Sequence, residues 1–456
     1  MAKIITIALA LSTITTCRVL ASQEIPAPPQ DHPIVLSGGT VHTVSGATLE
    51  DAQVLMDAGK IRAVGRNLPL PGGTQVVDVR GKHIYPGLIS PNTVLGLVEI
   101  GAVRATVDTS EPGAVNPNAR AEVSINPDSE LLPVARANGI LTALSVPQPV
   151  GGGDDNPGSG IAGTSALIKL DGWTWEDMTL SAPVGLHVFW PQMTINRDPR
   201  FPKSPEDQQV DLDKRLRQLR DTFATARAYL RGKQAAARGN PLATDLRWEA
   251  MTAVMEGKIP VFVHANEIKQ IKAALEWTAD EQLRMVLVGG QDAWRVADLL
   301  KARDIPVIIS SVLSLPERRW EAYDTPFTNP LKLQKAGVRF CIANDGSAFA
   351  APHDRNLPYQ AGMAAAYGLP KEEALKAITL YPAQILGMGA RLGSIDVGKD
   401  ATVLVTTGDP LEITSRVEMA YIQGREIDLA NRQKRLYEKY RRKYEQIRSP
   451  GRTGSL

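Results

Sequence analysis

The sequence predicts an α/β fold, a TIM-like (β/α)8 barrel with a small β-sandwich, and two patterns lead to this prediction. From about residue 245, helical segments alternate with the short β-branched runs IPVFVHA, RMVLVGG, IPVIISS and VRFCIAND. This alternation is typical of parallel strands joined by helical crossovers. Near both ends of the chain, short apolar runs are separated by turn residues instead, which indicates a small β unit. A chain of 456 residues is long enough for both parts.

Further barrel strands are predicted upstream of the alternating region. The candidates are ILTALSV, SALIKLDG and VGLHVFW, and the count reaches eight only if HIYPGLI supplies the first strand. The β unit starts near Ile34, and Asp57–Lys60 is predicted to form a hairpin turn. The late segments LGSIDVGKDATVLV and VEMAYIQGREI return to a β pattern, so we expect them to complete the sandwich.

Four parts of the chain follow from these patterns. They are a signal peptide (1–21), a sandwich built from both ends (22–85 with 391–428), a barrel (86–390) and a basic C-terminal helix and tail (429–456). The composition is that of an ordinary globular protein, with 43% hydrophobic and 22% charged residues. A net charge of +2 gives no support for nucleic acid as a partner.

The N-terminus has the features of an export signal. Lys3 precedes the mostly apolar run Ile4–Ile14, and Val19–Ala21 offers a small-residue cleavage site. The apolar run is too short to span a bilayer, and no other segment is long and apolar enough to be transmembrane. A buried N-terminal element is one alternative, and Cys17 raises a lipoprotein anchor as another. We expect an exported protein, periplasmic or extracellular.

The segment from Asn431 to Arg448 is basic and helical in pattern. Tyr437, Tyr440, Tyr444 and Ile447 fall on one face of the predicted helix. Two interpretations stay open, a helix docked on the body of the protein and a helix lying on a membrane surface.

Several segments resemble imidazolonepropionase-type amidohydrolases. They are KHIYPGLI, VFVHANE, CIANDG and the long run from NLPYQAG to GSIDVGKDATVLV. The resemblance covers about residues 32–428, and GSIDVGKDATVLV and YPGLI are its most specific pieces. It implies a barrel with a β-sandwich, and hydrolysis of a C–N bond of a small molecule by one or two divalent metals at the mouth of the barrel.

The resemblance also implies a His-x-His pair on the first barrel strand, and this chain departs from it. The matching positions in YPGLISPNTV are Asn92 and Val94. Valine cannot bind a metal, and the neutral carbonyl oxygen of asparagine suits hard cations better than zinc. The sixth-strand histidine has no counterpart either, because MVLVGG ends in Gly289 and Gly290.

Two residues keep their matching positions. His264 ends the strand VFVHA and is predicted to bind metal, and Asp345 in IANDG is predicted to bind metal and to accept the proton of the attacking water. His187 in GLHVFW is either a replacement ligand or a packed core residue. A catalytic zinc takes three protein ligands and water, so His187, Glu99, Glu267 or an acid of the pair 154–155 has to complete the site.

The sequence therefore predicts an exported amidohydrolase-like hydrolase that acts on non-peptide C–N bonds of a small molecule. Its cofactor is expected to be a divalent metal, with zinc as the first candidate, in an atypical site. A non-catalytic protein that uses the barrel for binding is the alternative, and a surface protein that acts through its basic tail is a third. Association with further copies of the chain stays open.

Overall fold

The computed structural model describes residues 25–151, 158–236 and 243–448. The predicted signal peptide, Cys17 and the acidic pair 154–155 lie outside these residues. None of the helices within the described ranges is long and apolar enough to cross a membrane.

The described part of the chain contains strands, α-helices and short 3-10 helices. The strands are β1 (Ile34–His42), β2 (Thr48–Asp57), β3 (Lys60–Gly65), β4 (Gln75–Asp78), β5 (His83–Pro86), β6 (Leu88–Thr93), β7 (Ile140–Ser145), β8 (Gly160–Thr164), β9 (Ala166–Lys169), β10 (Thr179–Ser181), β11 (Leu186–Phe189), β12 (Val261–Ala265), β13 (Met285–Gly289), β14 (Val307–Ser310), β15 (Phe340–Ala343), β16 (Val403–Thr406), β17 (Val417–Ile422) and β18 (Arg425–Glu426). The α-helices are α1 (Leu131–Arg136), α2 (Trp175–Met178), α3 (Pro205–Ala236), α4 (Leu246–Met255), α5 (Ile268–Asp280), α6 (Ala297–Ala302), α7 (Thr325–Ala336), α8 (Leu357–Ala366), α9 (Lys371–Lys376), α10 (Leu380–Ile385) and α11 (Arg432–Arg448). Short 3-10 helices cover Arg104–Thr106, Ala121–Ser124, Ala293–Val296 and Ala351–Asn356.

Strands from the two ends of the chain share one sheet. Its order is β18-β17-β16-β5-β1-β2-β3, and β4 also pairs with β1. The contact between the ends is antiparallel, with Val403 of β16 opposite Pro86 of β5. The hairpin predicted at Asp57–Lys60 is confirmed, because β2 and β3 pair across it. The strands form one connected sheet, so the predicted two-layered sandwich is not confirmed.

The barrel region has the predicted mixed α/β character, with one exception to parallel pairing. Strands β11 to β15 are parallel neighbours in one sheet, and β6 and β7 are parallel neighbours in another. Between them, the consecutive strands β8 and β9 run antiparallel, β8 beside β11 and β9 beside β7. The strands β6 to β9 and β11 to β15 together form the barrel wall. The segment SALIKLDG supplies β9, which runs opposite to its neighbour β7, so the prediction of eight parallel strands was wrong there.

The wall is not closed by strand pairing between β15 and β6. Two consecutive backbone carbonyls bridge this opening instead. The amide of Ile342 in β15 donates to Ala377, and the amide of Ile89 in β6 donates to Ile378, both at 2.9 Å. The loop before α10 thus accepts a hydrogen bond from one backbone amide on each open strand edge. Without these bonds, the two amides would be unpaired polar groups in the core.

Gly87 separates the small sheet from the barrel. The predicted first barrel strand, HIYPGLI, is divided here: β5 belongs to the small sheet and β6 to the barrel. A Cβ at Gly87 would lie 2.9 Å from side-chain carbons of Leu141 and Thr402. Only glycine lets the backbone pass between the two sheets this closely.

The interior of the wall is filled by apolar side chains from its strands. These fully or nearly fully buried residues form one cluster: Ile89, Leu144, Leu167, Phe262, Val288, Ile308 and Cys341. Alternate residues of the same strands pack outward against the helices. A packed interior leaves the strand ends as the place where polar side chains can gather.

Helix α3 is long and charged, and an apolar stripe attaches it to the barrel region. Leu219, Phe223 and Ala226 are buried on one face of this helix, at helical spacing. The Phe223 ring meets Trp277 of α5 edge to face, with ring centroids 4.9 Å apart. The aromatic pair therefore packs α3 against α5.

The aromatic contact of α3 predicts a stability effect. Phe223→Ala would remove a fully buried ring and leave a cavity, so we expect a loss of about 3–5 kcal/mol in the free energy of unfolding. Urea unfolding followed by circular dichroism measures this loss. Phe349→Ala, at a ring that is 79% exposed, is the matched control, and equal losses for both variants would contradict the assignment.

Candidate functional site

His264 and Asp345 belong to the same end of the barrel. His264 is the fourth of the five residues of β12, and Asp345 follows the last residue of β15 by two positions. Both strands run parallel in one sheet, through β13 and β14. Their carboxyl ends therefore share one edge, which is where functional groups gather in barrels of this type.

His187 and His264 form a hydrogen-bonded pair on neighbouring strands. Register places His187 of β11 opposite Phe262 and Phe189 opposite His264. The His187 Nδ1 and His264 Nε2 atoms are 2.9 Å apart. Phe189 stacks on the His264 ring at 3.8 Å between centroids, and Phe262 stacks on His187 at 4.8 Å. Two phenyl rings thus hold both imidazoles in place.

Burial keeps both imidazoles of the pair neutral. It lowers the pKa of His264 to about 3. The pKa of His187 is lowered mainly by burial and further by the charge that His264 would carry. His187 Nε2 is buried and makes no hydrogen bond within the described residues. His187 therefore proves to be both a core residue and a direct partner of the predicted ligand His264.

Asp345 stands apart from the histidine pair in its interactions. Its side chain is exposed, and its Oδ1 accepts the backbone amide of Ser347 at 2.7 Å. No hydrogen bond or ion pair joins it to either histidine within the described part of the chain. The structure places Asp345 at the correct end of the sheet, and its predicted catalytic role stays a prediction.

The two positions where the resemblance implies histidines have different surroundings. Val94 is fully buried in the apolar core beside Leu95. Asn92 donates from Nδ2 to the carbonyl of Asp345 at 3.2 Å, and its Oδ1 is buried without a hydrogen-bond partner. Gly346 allows this approach, since a Cβ there would lie 2.3 Å from Asn92 Nδ2. Asn92 thus ties β6 to the loop that carries Asp345.

The other candidate ligands have structural partners elsewhere. Glu99 accepts hydrogen bonds from Ser129 and from the amide of Glu130. Glu267 caps α5. Neither glutamate contributes to the histidine pair.

The divalent metal implied by the resemblance was tested against these side chains. A catalytic zinc needs three protein ligands, and the pair supplies two imidazole nitrogens. Across residues 25–151, 158–236 and 243–448, no group of three or more His, Cys, Asp or Glu side chains is placed to hold a metal ion. The described residues therefore do not fit the expected centre.

Asp354 is a buried acid that the sequence did not single out. It lies in the 3-10 helix Ala351–Asn356 and is 1% exposed. Its carboxylate accepts from Asn344 Nδ2 at 2.8 Å and from Ser90 Oγ at 3.2 Å. Burial raises its pKa to about 6, against the lowering effect of hydrogen bonds from Thr93, Asn344 and Ser90. No motif marks this residue, because only tertiary packing brings it to β6 and β15.

The raised pKa of Asp354 predicts a pH dependence of stability. Its pKa is about 6 in the folded state and 3.8 ordinarily, so between these values the folded protein binds the extra proton and its stability falls as pH rises. We expect wild-type stability relative to Asp354→Asn to drop by about 2 kcal/mol from pH 4 to pH 7. Urea unfolding of both proteins across this range measures the difference. A difference that stays constant with pH would contradict the raised pKa.

Comparison with known proteins places the chain in a family. The Amidohydrolase family model matches residues 176–427. An amidohydrolase structure from Thermotoga maritima MSB8 superposes with a TM-score of 0.74 and 26% identity, covering 87% of this chain and 99% of that one. Amidohydrolase tasK of Hapsidospora irregularis is 23% identical over 84% of this chain, which spans only 42% of that protein. Imidazolonepropionase of Sphingopyxis alaskensis is 31% identical over 19% of this chain and 21% of its own length. The family match covers more than half of the residues of this chain. The chain therefore belongs to the amidohydrolase family.

Proposed function

We propose that this protein is a hydrolase that cleaves a carbon–nitrogen bond of a small molecule at the carboxyl end of its barrel strands. The observation that carries the proposal is the neutral histidine pair, His187 with His264, at the edge where the chain also presents Asp345. Membership in the amidohydrolase family supports the same reaction class.

A cavity near the pair, lined by Phe189 but by neither histidine, supports a small-molecule substrate. Phe189, which stacks on His264, also lines a cavity of about 430 Å³ together with Ile161, Pro191 and Leu219. This volume falls in the range of small-molecule sites. A substrate held there would lie against the ring that orients His264.

The proposed chemistry uses only groups that the chain supplies. Water adds to the carbonyl-type carbon while its proton passes to the imidazole of His264, and the C–N bond breaks as that proton reaches the leaving nitrogen. His187 fixes the orientation of His264 through their 2.9 Å contact. A base whose pKa is about 3 is weak at neutral pH, so we expect slow turnover compared with metal-activated water.

A second candidate function is binding without catalysis. The observation that favours it is the chemistry of the first barrel strand, where Val94 lies in the apolar core and Asn92 holds the Asp345 loop. Neither position retains a ligand of the kind that the family resemblance implies. Under this alternative the chain binds the same class of small molecule and leaves it intact.

Activity assays separate the two functions. The purified protein is incubated with a panel of hydantoins, lactams and N-acetyl amino acids, and products are identified by mass spectrometry. We expect hydrolysis of at least one class by the wild type, and a fall of about 10²-fold or more in kcat/KM for His264→Asn, because the proton acceptor is lost.

An exposed histidine provides the control. His32→Asn changes a side chain on the surface, far along the chain from the pair, and is expected to retain activity. Binding of panel compounds by calorimetry without turnover would establish the second function. Full activity in His264→Asn would overturn the assignment of the pair.

We also propose that the protein is exported, on the basis of Lys3, the apolar run Ile4–Ile14 and the site after Ala21. The expected result is a mature chain that begins at Ser22 and fractionates outside the cytoplasm, shown by N-terminal sequencing of the expressed protein. A chain that retains residues 1–21 in the cytoplasmic fraction would contradict export.

A further inference from the structure

The C-terminal helix α11 presents an apolar stripe that the described part of the protein leaves uncovered. Its large apolar side chains are between 41% and 66% exposed, and none of its residues is buried. The members of the stripe are Leu436, Tyr437, Tyr440, Tyr444 and Ile447. The segment thus forms a helix whose apolar face is exposed and not docked on the described part of the protein.

The start of this helix is fixed to the body. Asn431 Oδ1 accepts the backbone amide of Lys434 at 2.9 Å and caps the helix. Arg435 reaches Glu130, just before α1, at 3.1 Å. These two contacts attach the first turn of α11 to the body of the protein. The orientation of the stripe is therefore defined from its first residue, Leu436.

Charge is distributed around the stripe in an ordered way. The helix carries eight basic and two acidic side chains, a net charge of +6. Since the whole chain carries +2, the remaining residues together carry −4. At about 3.6 residues per turn, Arg441 and Arg448 flank one side of the stripe, and Lys439 and Lys443 flank the other.

The two acids lie on the far face. Glu438 and Glu445 both pair with Arg441, at 2.6 Å and 3.6 Å. The surface that surrounds the stripe is therefore basic and aromatic, while the negative charge points away from it. Tyrosine favours a boundary between an apolar and a wet region, and long basic side chains reach from such a boundary to anionic groups.

We propose that α11 lies on an anionic lipid surface, with its tyrosine stripe at the headgroup boundary. The flanking cations would meet the lipid phosphates, as in other basic amphipathic helices that bind membrane surfaces. A second copy of the chain is a poorer occupant, because two stripes brought together would face each other with a charge of +6 on each helix.

Vesicle binding of the full chain tests the proposal. Sedimentation is measured with vesicles of phosphatidylcholine alone and with vesicles containing about 30% phosphatidylglycerol. We expect binding only to the anionic vesicles, weakened by about 0.5 M salt. Tyr440→Ser with Tyr444→Ser is expected to lower the partition coefficient about tenfold or more, because both rings leave the boundary.

Matched variants isolate the helix from the rest of the chain. Leu315→Ser with Tyr323→Ser removes two exposed apolar side chains elsewhere and is expected to leave binding unchanged. Lys439→Gln with Lys443→Gln, which neutralises one flank of the stripe, is expected to weaken binding, while Arg217→Gln with Arg220→Gln on α3 is not. Circular dichroism confirms that each variant is folded.

Three results would overturn the proposal. Equal binding of the wild type to both vesicle types would show that binding does not need an anionic lipid. Unchanged binding of the tyrosine variant would assign lipid affinity to another segment, such as residues 1–24. A wild-type dimer that the tyrosine variant converts to monomers, shown by light scattering in the absence of lipid binding, would assign the stripe to a second copy of the chain.

Discussion

The hydrogen bond between His187 and His264 depends on the removal of water from the barrel interior. Phe262 and Phe189 cover the two imidazoles, and this burial keeps both rings neutral by disfavouring their charged forms. Neutral rings can share one proton between two facing nitrogens, whereas two charged rings at 2.9 Å would repel each other. The orientation of His264 follows from this contact and from the stacking of Phe189 on its ring.

The wall that creates this interior is assembled from unequal parts. Five parallel strands lie on one side, with β8 antiparallel at their edge, and two parallel strands lie on the other, with β9 antiparallel at theirs. The carbonyls of Ala377 and Ile378 accept one amide from β15 and one from β6 across the opening between these strands. These carbonyls lie beside β6 and β15, whose ends carry Asn92 and the Asp345 loop. Asp354 is buried behind the same two strands, with partners from both. The region where the resemblance implies metal ligands has thus become a structural junction between the first and last strands.

The sequence predicted the parts of this architecture that depend on local periodicity. The four strands from β12 to β15 show as β-branched runs between helical segments. Strand direction in SALIKLDG could not be predicted, because an apolar run reads the same in either direction. His264 and Asp345 were identifiable from motifs at strand ends. The contact of His187 with His264 and the burial of Asp354 depend on register and packing between segments that are distant in sequence.

The charge state of the histidine pair can be measured directly. The chain has six histidines, so nitrogen-15 spectra of histidine-labelled protein can be assigned with His187→Asn and His264→Asn. We expect both rings to stay neutral at about pH 5, well below the ordinary histidine pKa of about 6.5, while His32, whose pKa is raised by Gln75 and Asp31, is protonated. Protonation of both His187 and His264 together with His32 near pH 6.5 would contradict a buried, neutral pair.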